Sequence, residues 1–409
     1  MPDLSRRSFV GLSAAALAGT ALAGTAAGLP LRRAAARPVQ VAQSTSSAAG
    51  FAPGALDAVA ETARGLDQLH SLVISRNGEI ALAETFRGPG LETPVNVKSA
   101  SKTLVAALVG AALARGVLPG GVPAGVETAI GEVAPQLIPP QADPQVADIT
   151  LADLLSLQAG LERTSGANYG RWVESANWVA YALSRPLVRT PGEGFLYSTG
   201  STHVAGAVLA EAAGRSLLDL ARDWLGAPLG IEIPPWTRDP QGYYLGGNNM
   251  ALSPLALWRF GEMVRQGGLW AGEAGGAERG QRVLPAAWIE ASWRPRAVSP
   301  FSGHAYGYGW FLARLGSSES ASGRASGDAS GSGGLIRPEN RPLAAARGPE
   351  AVEVAYARGY GGQMLYLVPH LGLTVAITSD PTRPARSAGY AGDLNRLLAE
   401  RIVPAVEAE

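Results

Sequence analysis

The chain of 409 residues contains no cysteine and only four histidines. That excludes disulfide scaffolds, cysteine nucleophiles, iron–sulfur clusters and Cys-based zinc sites. His70, His203, His304 and His370 show no ligand spacing, and no H-E-x-x-H occurs, so no metal and no cofactor is expected. An excess of one charge is also missing: 34 basic residues face 34 acidic ones, which gives no electrostatic ground for a nucleic-acid partner. Walker A, dinucleotide and G-x-S-x-G signatures are absent. No acidic pair is singled out for glycosidase work. Glycine (52) and proline (29) are plentiful but not periodic, so a collagen-like repeat is excluded. With 46% apolar residues the chain can build a large core.

Lysine is the most informative scarcity. Of the 34 cations, 32 are Arg and two are Lys, and these two are Lys98 and Lys102. Arg stays protonated in proteins, whereas a lysine can be brought to neutrality and act as a base.

The N-terminus reads as an address. Ser5-Arg6-Arg7-Ser8-Phe9-Val10 precedes an uncharged Ala/Gly/Leu/Thr stretch from Ser8 to Leu31, the pattern of a twin-arginine export signal. A membrane anchor is the alternative, but the Ala/Gly/Thr content makes a poor span. Residues 1–42 are therefore assigned to a signal peptide and leader, with export machinery as their partner. Residues 43–409 form the mature domain, periplasmic or secreted, with no stable membrane span.

Within that domain, apolar spacing predicts a helix over Phe51–Gln68. Asn77-Gly78 lies between the β-prone runs His70–Ser75 and Glu79–Ala83, a hairpin signal. Ser101–Arg115 has helical spacing and ends at Gly116. It is apolar on every side, so it belongs inside the fold. Residues 117–255 read as helices and loops, clearest at Ile149–Leu157 and His203–Ala213. Strands return at Tyr306–Leu312, Val352–Tyr356, Met364–Val368 and Leu373–Thr378, and a helix at Ala391–Val403 closes the chain. Strands at both ends imply one sheet built from distant segments around a helical subdomain. Residues 316–334, mostly Gly, Ser and Ala, read as a flexible insertion.

Ser99-Ala100-Ser101-Lys102 places a hydroxyl at the start of the buried helix and an amine one turn later on the same face. Free N–H groups at a helix start stabilise negative charge. A lysine there lowers the proton affinity of the hydroxyl, or, when neutral, takes its proton. The alternative is that Ser99 caps the helix and Lys102 is solvated. Lys102 on an all-apolar helix argues otherwise, because a buried lone ammonium is costly.

With these residues the sequence resembles the serine β-lactamase and penicillin-binding-protein superfamily. The nearest branch holds class C-like enzymes, family VIII esterases and 6-aminohexanoate-dimer hydrolases. The likeness runs over about residues 65–405. Besides Ser99-x-x-Lys102 it rests on Leu69–Gly78, on Ile149–Leu161 and on Tyr197-Ser198-Thr199. It implies an α/β (α+β) fold of the β-lactamase/transpeptidase type, an antiparallel sheet flanked by helices plus an inserted all-helical subdomain. It also implies Ser99, Lys102 and Tyr197 as catalytic residues. Tyr-x-Asn is usual at the second motif, and here Thr199 replaces Asn. The third motif, usually Lys-Thr-Gly or His-x-Gly, is matched to Ala357-Arg358-Gly359. Only the glycine is retained, and Arg358 is either a replacement cation or a surface charge. Backbone N–H groups of Ser99 and Tyr360 would hold the oxyanion, with Thr199 and Gly359 contacting substrate. The expectation is an exported serine hydrolase acting on a small ester, amide or peptide through an acyl-enzyme. The alternatives are a D-Ala-D-Ala carboxypeptidase or β-lactamase, and a non-catalytic penicillin-binding-like protein.

Overall fold

A computed structural model describes residues 50–272, 280–315, 352–382 and 389–407. The proposed leader, residues 1–42, and the Gly/Ser/Ala tract at 316–334 lie outside the described residues.

The Asn77-Gly78 pair turns the chain as expected. Both residues have positive φ, 51° and 90°, the requirement of the two-residue turn whose twist matches its flanking strands. It joins β1 (Leu69–Arg76) to β2 (Glu79–Thr85), with Arg76 opposite Glu79. On its other side β1 pairs antiparallel with β8 (Leu373–Ser379), Leu72 facing Ile377. The sheet continues through β7 (Gln363–Val368), β6 (Val352–Gly359), β5 (Phe311–Leu315), β4 (Ala305–Tyr306) and β3 (Ala297–Val298). Its order is β2-β1-β8-β7-β6-β5-β4-β3, with every pairing antiparallel. One sheet thus unites both ends of the domain.

Several boundaries differ from the sequence expectation. Tyr306–Leu312 is not one strand: the chain reverses at 307–310 between β4 and β5. Gly309 (φ 74°) makes that reversal, and a Cβ on it would lie 3.0 Å from the Lys102 carbonyl. The first helix, α1 (Ala55–Arg64), is shorter than Phe51–Gln68 because a left-handed Gly54 opens it and Gly65 ends it. The last helix, α6 (Tyr390–Arg396), widens into a π turn over Leu397–Ile402.

Every residue of β8 is buried, so the sheet is covered on both faces. One side carries α1, α6 and the π turn, packed on Leu72, Ile74, Tyr366 and Val375. The other carries α5 (Pro254–Arg265). A Cβ on Gly261 would lie 2.4 Å from Leu365 Cδ1, so glycine lets this helix lie close on β7. Trp258 donates its indole N–H to Ser75 Oγ at 2.7 Å, and Thr374 donates its hydroxyl to the buried Glu262 at 2.6 Å.

Helices between the two groups of strands are also buried. Helix α2 (Ser101–Ala114) is buried at every position from Ser101 to Leu113, as its apolar surface requires. It packs against α4 (Thr199–Ala213), buried from Thr199 to Leu209. Between them in sequence lies the short α3 (Leu151–Leu155), opened by a Thr150/Asp153 capping box. Helix α4 starts four residues earlier than His203, at the second motif itself. Its missing self-cap explains the difference. The first N–H groups of α4 bond outward, Thr199 N to Ser165 Oγ (2.8 Å) and Gly200 N to Thr164 Oγ1 (2.8 Å).

Candidate active site

Ser99 sits on a 3₁₀ turn, Lys98–Ala100, that runs directly into α2. It does not cap the helix. The preceding Lys98 is left-handed, with φ 52°, a conformation costing a non-glycine residue about 1 kcal/mol or more. Neighbouring bonds hold it there. Lys98 N donates to Asn96 Oδ1 at 2.8 Å, and Val97 N donates to Met250 O at 2.9 Å. Ser101 Oγ donates to Lys98 O at 2.6 Å and accepts from Met250 N at 3.1 Å. The Ser99 turn is thereby stitched to the 250 segment far along the chain.

Lys102 is 1% exposed. Its Nζ donates to Ser99 Oγ at 3.3 Å, Thr199 Oγ1 at 3.4 Å and Gly247 O at 2.6 Å. No carboxylate is among these partners. Burial holds the Lys102 amine below its ordinary range; charge and hydrogen bonding from the Tyr197 phenol act in the opposite sense. Lys102 Nζ lies over the Tyr197 ring, 4.9 Å from its centroid. The Ser99 hydroxyl and Lys102 amine of one turn–helix segment therefore meet the Tyr197 phenol, which comes from a distant one.

Thr199 opens α4 beside them. Its hydroxyl lies 3.0 Å from Ser165 Oγ, so it links Lys102 to the 164–165 loop.

Strand β6 closes the other wall. A Cβ on Gly359 would lie 2.2 Å from Val97 O and 3.0 Å from Lys98 Cβ. Only glycine lets the strand end lie on the Val97–Ser99 turn. Tyr360 follows immediately, and Arg358 projects outward from the strand. Ser99, Tyr197, Thr199, Arg358, Gly359 and Tyr360 all line one cleft of about 630 Å³. That size suits a small-molecule site. Lys102 lies beneath its floor, bonded to Ser99 and Thr199.

Several wall residues went unmarked in the sequence. Gly247 is the nearest partner of Lys102. A Cβ on it would meet Thr202 Oγ1 at 2.5 Å and Thr199 O at 2.7 Å, so the loop lies flat on α4. Asn248 brings an amide to the cleft. Ser165, Arg163 and Phe301 complete the mouth. The run Gly246-Gly247-Asn248-Asn249 was the one available signal, two glycines where a backbone approaches closely.

The histidines stay outside this chemistry. His203 is fully buried, its Nε2 3.0 Å from Asp239 Oδ2, and Gly246 N donates to its Nδ1 at 3.4 Å. It is a structural link between α4 and the 239–246 loop. His304 Nδ1 lies 2.7 Å from the Tyr356 hydroxyl. Burial first, then the Arg358 charge, lowers its basicity. Among the described residues no group of three or more acidic or histidine side chains could hold a metal, and no helix is long and apolar enough to cross a membrane.

Comparison with known proteins adds three solved structures of similar fold. EstCE1, a hydrolase with promiscuous acyltransferase activity, superposes with a TM-score of 0.61 at 17% identity, covering 85% of this chain and 98% of that one. A D-stereospecific amidohydrolase from Streptomyces gives 0.57 at 16% identity over 85% and 98%. The octameric penicillin-binding protein homologue from Pyrococcus abyssi gives 0.57 at 15% identity over 86% and 77%. No curated protein matches the chain. The Beta-lactamase family model matches residues 70–400. The chain belongs to the Beta-lactamase family and is a serine hydrolase of the β-lactamase-related type.

Proposed function

We propose that this protein is an exported hydrolase that cleaves a small ester or amide through an acyl-enzyme on Ser99. One observation carries the reading: a lysine 1% exposed, without a carboxylate partner, has its amine 3.3 Å from the Ser99 hydroxyl. An ammonium in that place costs several kcal/mol of desolvation. Its neutral form is correspondingly favoured, and a neutral amine is a base.

Ser99 Oγ attacks the carbonyl carbon while its proton passes to Lys102 Nζ. The oxyanion lies against the backbone N–H groups of Ser99 and Tyr360. Collapse breaks the bond to the leaving alcohol or amine, which takes its proton from the Lys102–Tyr197 pair. Water then attacks the acyl-enzyme carbonyl and gives a proton to the same pair, which passes it to Ser99 Oγ as the acyl–oxygen bond breaks and the acid leaves. Among the described residues that line the cleft there is no carboxylate and no histidine, so that pair serves both half-reactions. Thr199 and Gly247 O aim the amine, and the Asn248 amide offers a donor and acceptor for substrate.

The cleft does not supply a lysine or histidine at the third motif, where Ala357 is buried. Ester or simple amide cleavage is favoured over β-lactam turnover for that reason. The paired Arg6-Arg7 supports export. The test is labelling of the chain lacking residues 1–42 by a fluorophosphonate and a fluorescent penicillin, with turnover of a short-chain ester. Fluorophosphonate labelling and ester turnover, both lost in Ser99→Ala, are expected. Penicillin labelling without ester turnover would indicate the peptidase reading, and no labelling by either a binding protein.

A further inference from the structure

Among the described residues the exposed large apolar side chains are Val188, Val298, Phe301 and Tyr360. Two of the four line the catalytic cleft, and Val298 is three residues from one of them. Phe301 is 67% exposed and Tyr360 64%. They stand on different elements, Phe301 between β3 and β4 and Tyr360 just after β6, yet they border one cavity with Ser99. Single exposed apolar residues need no explanation, but rings gathered at a site mark contact with an apolar partner.

The lining between them is of the same character. Tyr169, Tyr197 and Phe311 also border the cleft, so aromatics are five of its 16 residues, whereas they are 7% of the chain. The Arg163 guanidinium lies 5.8 Å from the Phe301 ring centroid. This cation–π contact ties the outer ring to the helical wall opposite.

We infer that Phe301 and Tyr360 determine specificity, receiving an aryl or extended alkyl group attached next to the scissile bond. The preferred substrates are thus esters or amides with a bulky apolar substituent, not acetyl-sized ones. The inference rests on the acyl-enzyme reading of Ser99. Occupancy by the substrate itself follows from continuity: the rings share a cavity with the nucleophile, and about 630 Å³ leaves ample room beyond a scissile ester.

The test compares ethyl acetate, ethyl hexanoate, ethyl 3-phenylpropanoate and benzyl acetate by pH-stat. The wild type is expected to prefer at least one larger ester over ethyl acetate by tenfold or more in kcat/KM. In Phe301→Ser that preference should fall about tenfold, while Val188→Ser, an exposed apolar position outside the cleft, retains it. Fluorophosphonate labelling of Ser99 reports that each variant is folded. No preference in the wild type, or one that survives Phe301→Ser, overturns the inference while leaving the hydrolase reading intact. A change of oligomeric state in Phe301→Ser without loss of preference overturns it too, because the rings would then join copies of the chain. No labelling and no turnover of any ester removes the Ser99 reading, and this inference with it.

Discussion

Replacing Lys102 by methionine separates catalysis from stability. The two side chains have similar length, so α2 keeps its packing, but the base is gone. Positioned proton transfer contributes about 10²–10⁴ in rate. Nζ lies 3.3 Å from the Ser99 hydroxyl, so kcat/KM should fall about 10³-fold or more, equivalent to ~4 kcal/mol. Stability should move little. Gly247 O loses its 2.6 Å partner, at about 1–3 kcal/mol for an unsatisfied buried acceptor. Removing a desolvated amine offsets that by a similar amount. The melting temperature should therefore stay within about 6 °C of wild type. The sign of the pH dependence follows from the lowered basicity of Lys102. Between its folded pKa and the ordinary ~10.4, the unfolded chain binds the extra proton. Stability of the wild type relative to the methionine variant should rise with pH across that window and be lost as pH falls through the folded value. Ester turnover by pH-stat and thermal unfolding at several pH values check both halves. If the variant keeps a tenth of wild-type turnover, or if it unfolds more than 10 °C lower, Lys102 is a structural residue and the argument fails.

Gly359→Ala would drive a Cβ to 2.2 Å from Val97 O. Misplacing the strand end by that overlap should cost about 100-fold in kcat, read in steady-state ester kinetics. Thr199→Ala removes one of three Nζ contacts and should lower kcat/KM about tenfold, with Thr199→Ser restoring most of it. Asp239→Ala leaves buried His203 without its 3.0 Å partner, and should destabilise by about 2–4 kcal/mol in denaturant unfolding without altering kcat. Burial opposes ionisation of Glu262, but bonds and charge from Arg265, Gln266 and Thr374 outweigh it and hold the carboxyl below its ordinary value. That contribution is present above pH ~4.3 and lost as pH falls through the lower folded value. Glu262→Gln should therefore flatten the acid limb of the unfolding curve.

The lysine scarcity, the all-apolar helix and the Asn-Gly turn were readable because each is local: a composition, a period and a backbone requirement. The grouping of Ser99, Lys102 and Tyr197 was expected from the resemblance of Ser99-x-x-Lys102 and Tyr197-Ser198-Thr199 to the family's motifs. The partners that aim the amine were not. Gly247, Ser165 and Asn248 reach the site only through how loops fold onto α4, and such contacts leave no periodicity. The start of α4 was missed because its cap is borrowed from Thr164 and Ser165, 34 to 36 residues away. Tyr306–Leu312 read as one strand because alternation cannot distinguish a straight run from one folded back at Gly309.

The position of β1 between β2 and β8 has a kinetic meaning. Leu72 waits for Ile377, more than 300 residues later, so a ribosome must finish nearly the entire domain before the first hairpin gains its second neighbour. A nascent polypeptide halted ahead of Leu373 carries the serine, the lysine and β7 but not β8. Such pairings close slowly, and an emerging chain leaves the apolar edge of β1 unpaired for the longest time of any segment in the sheet.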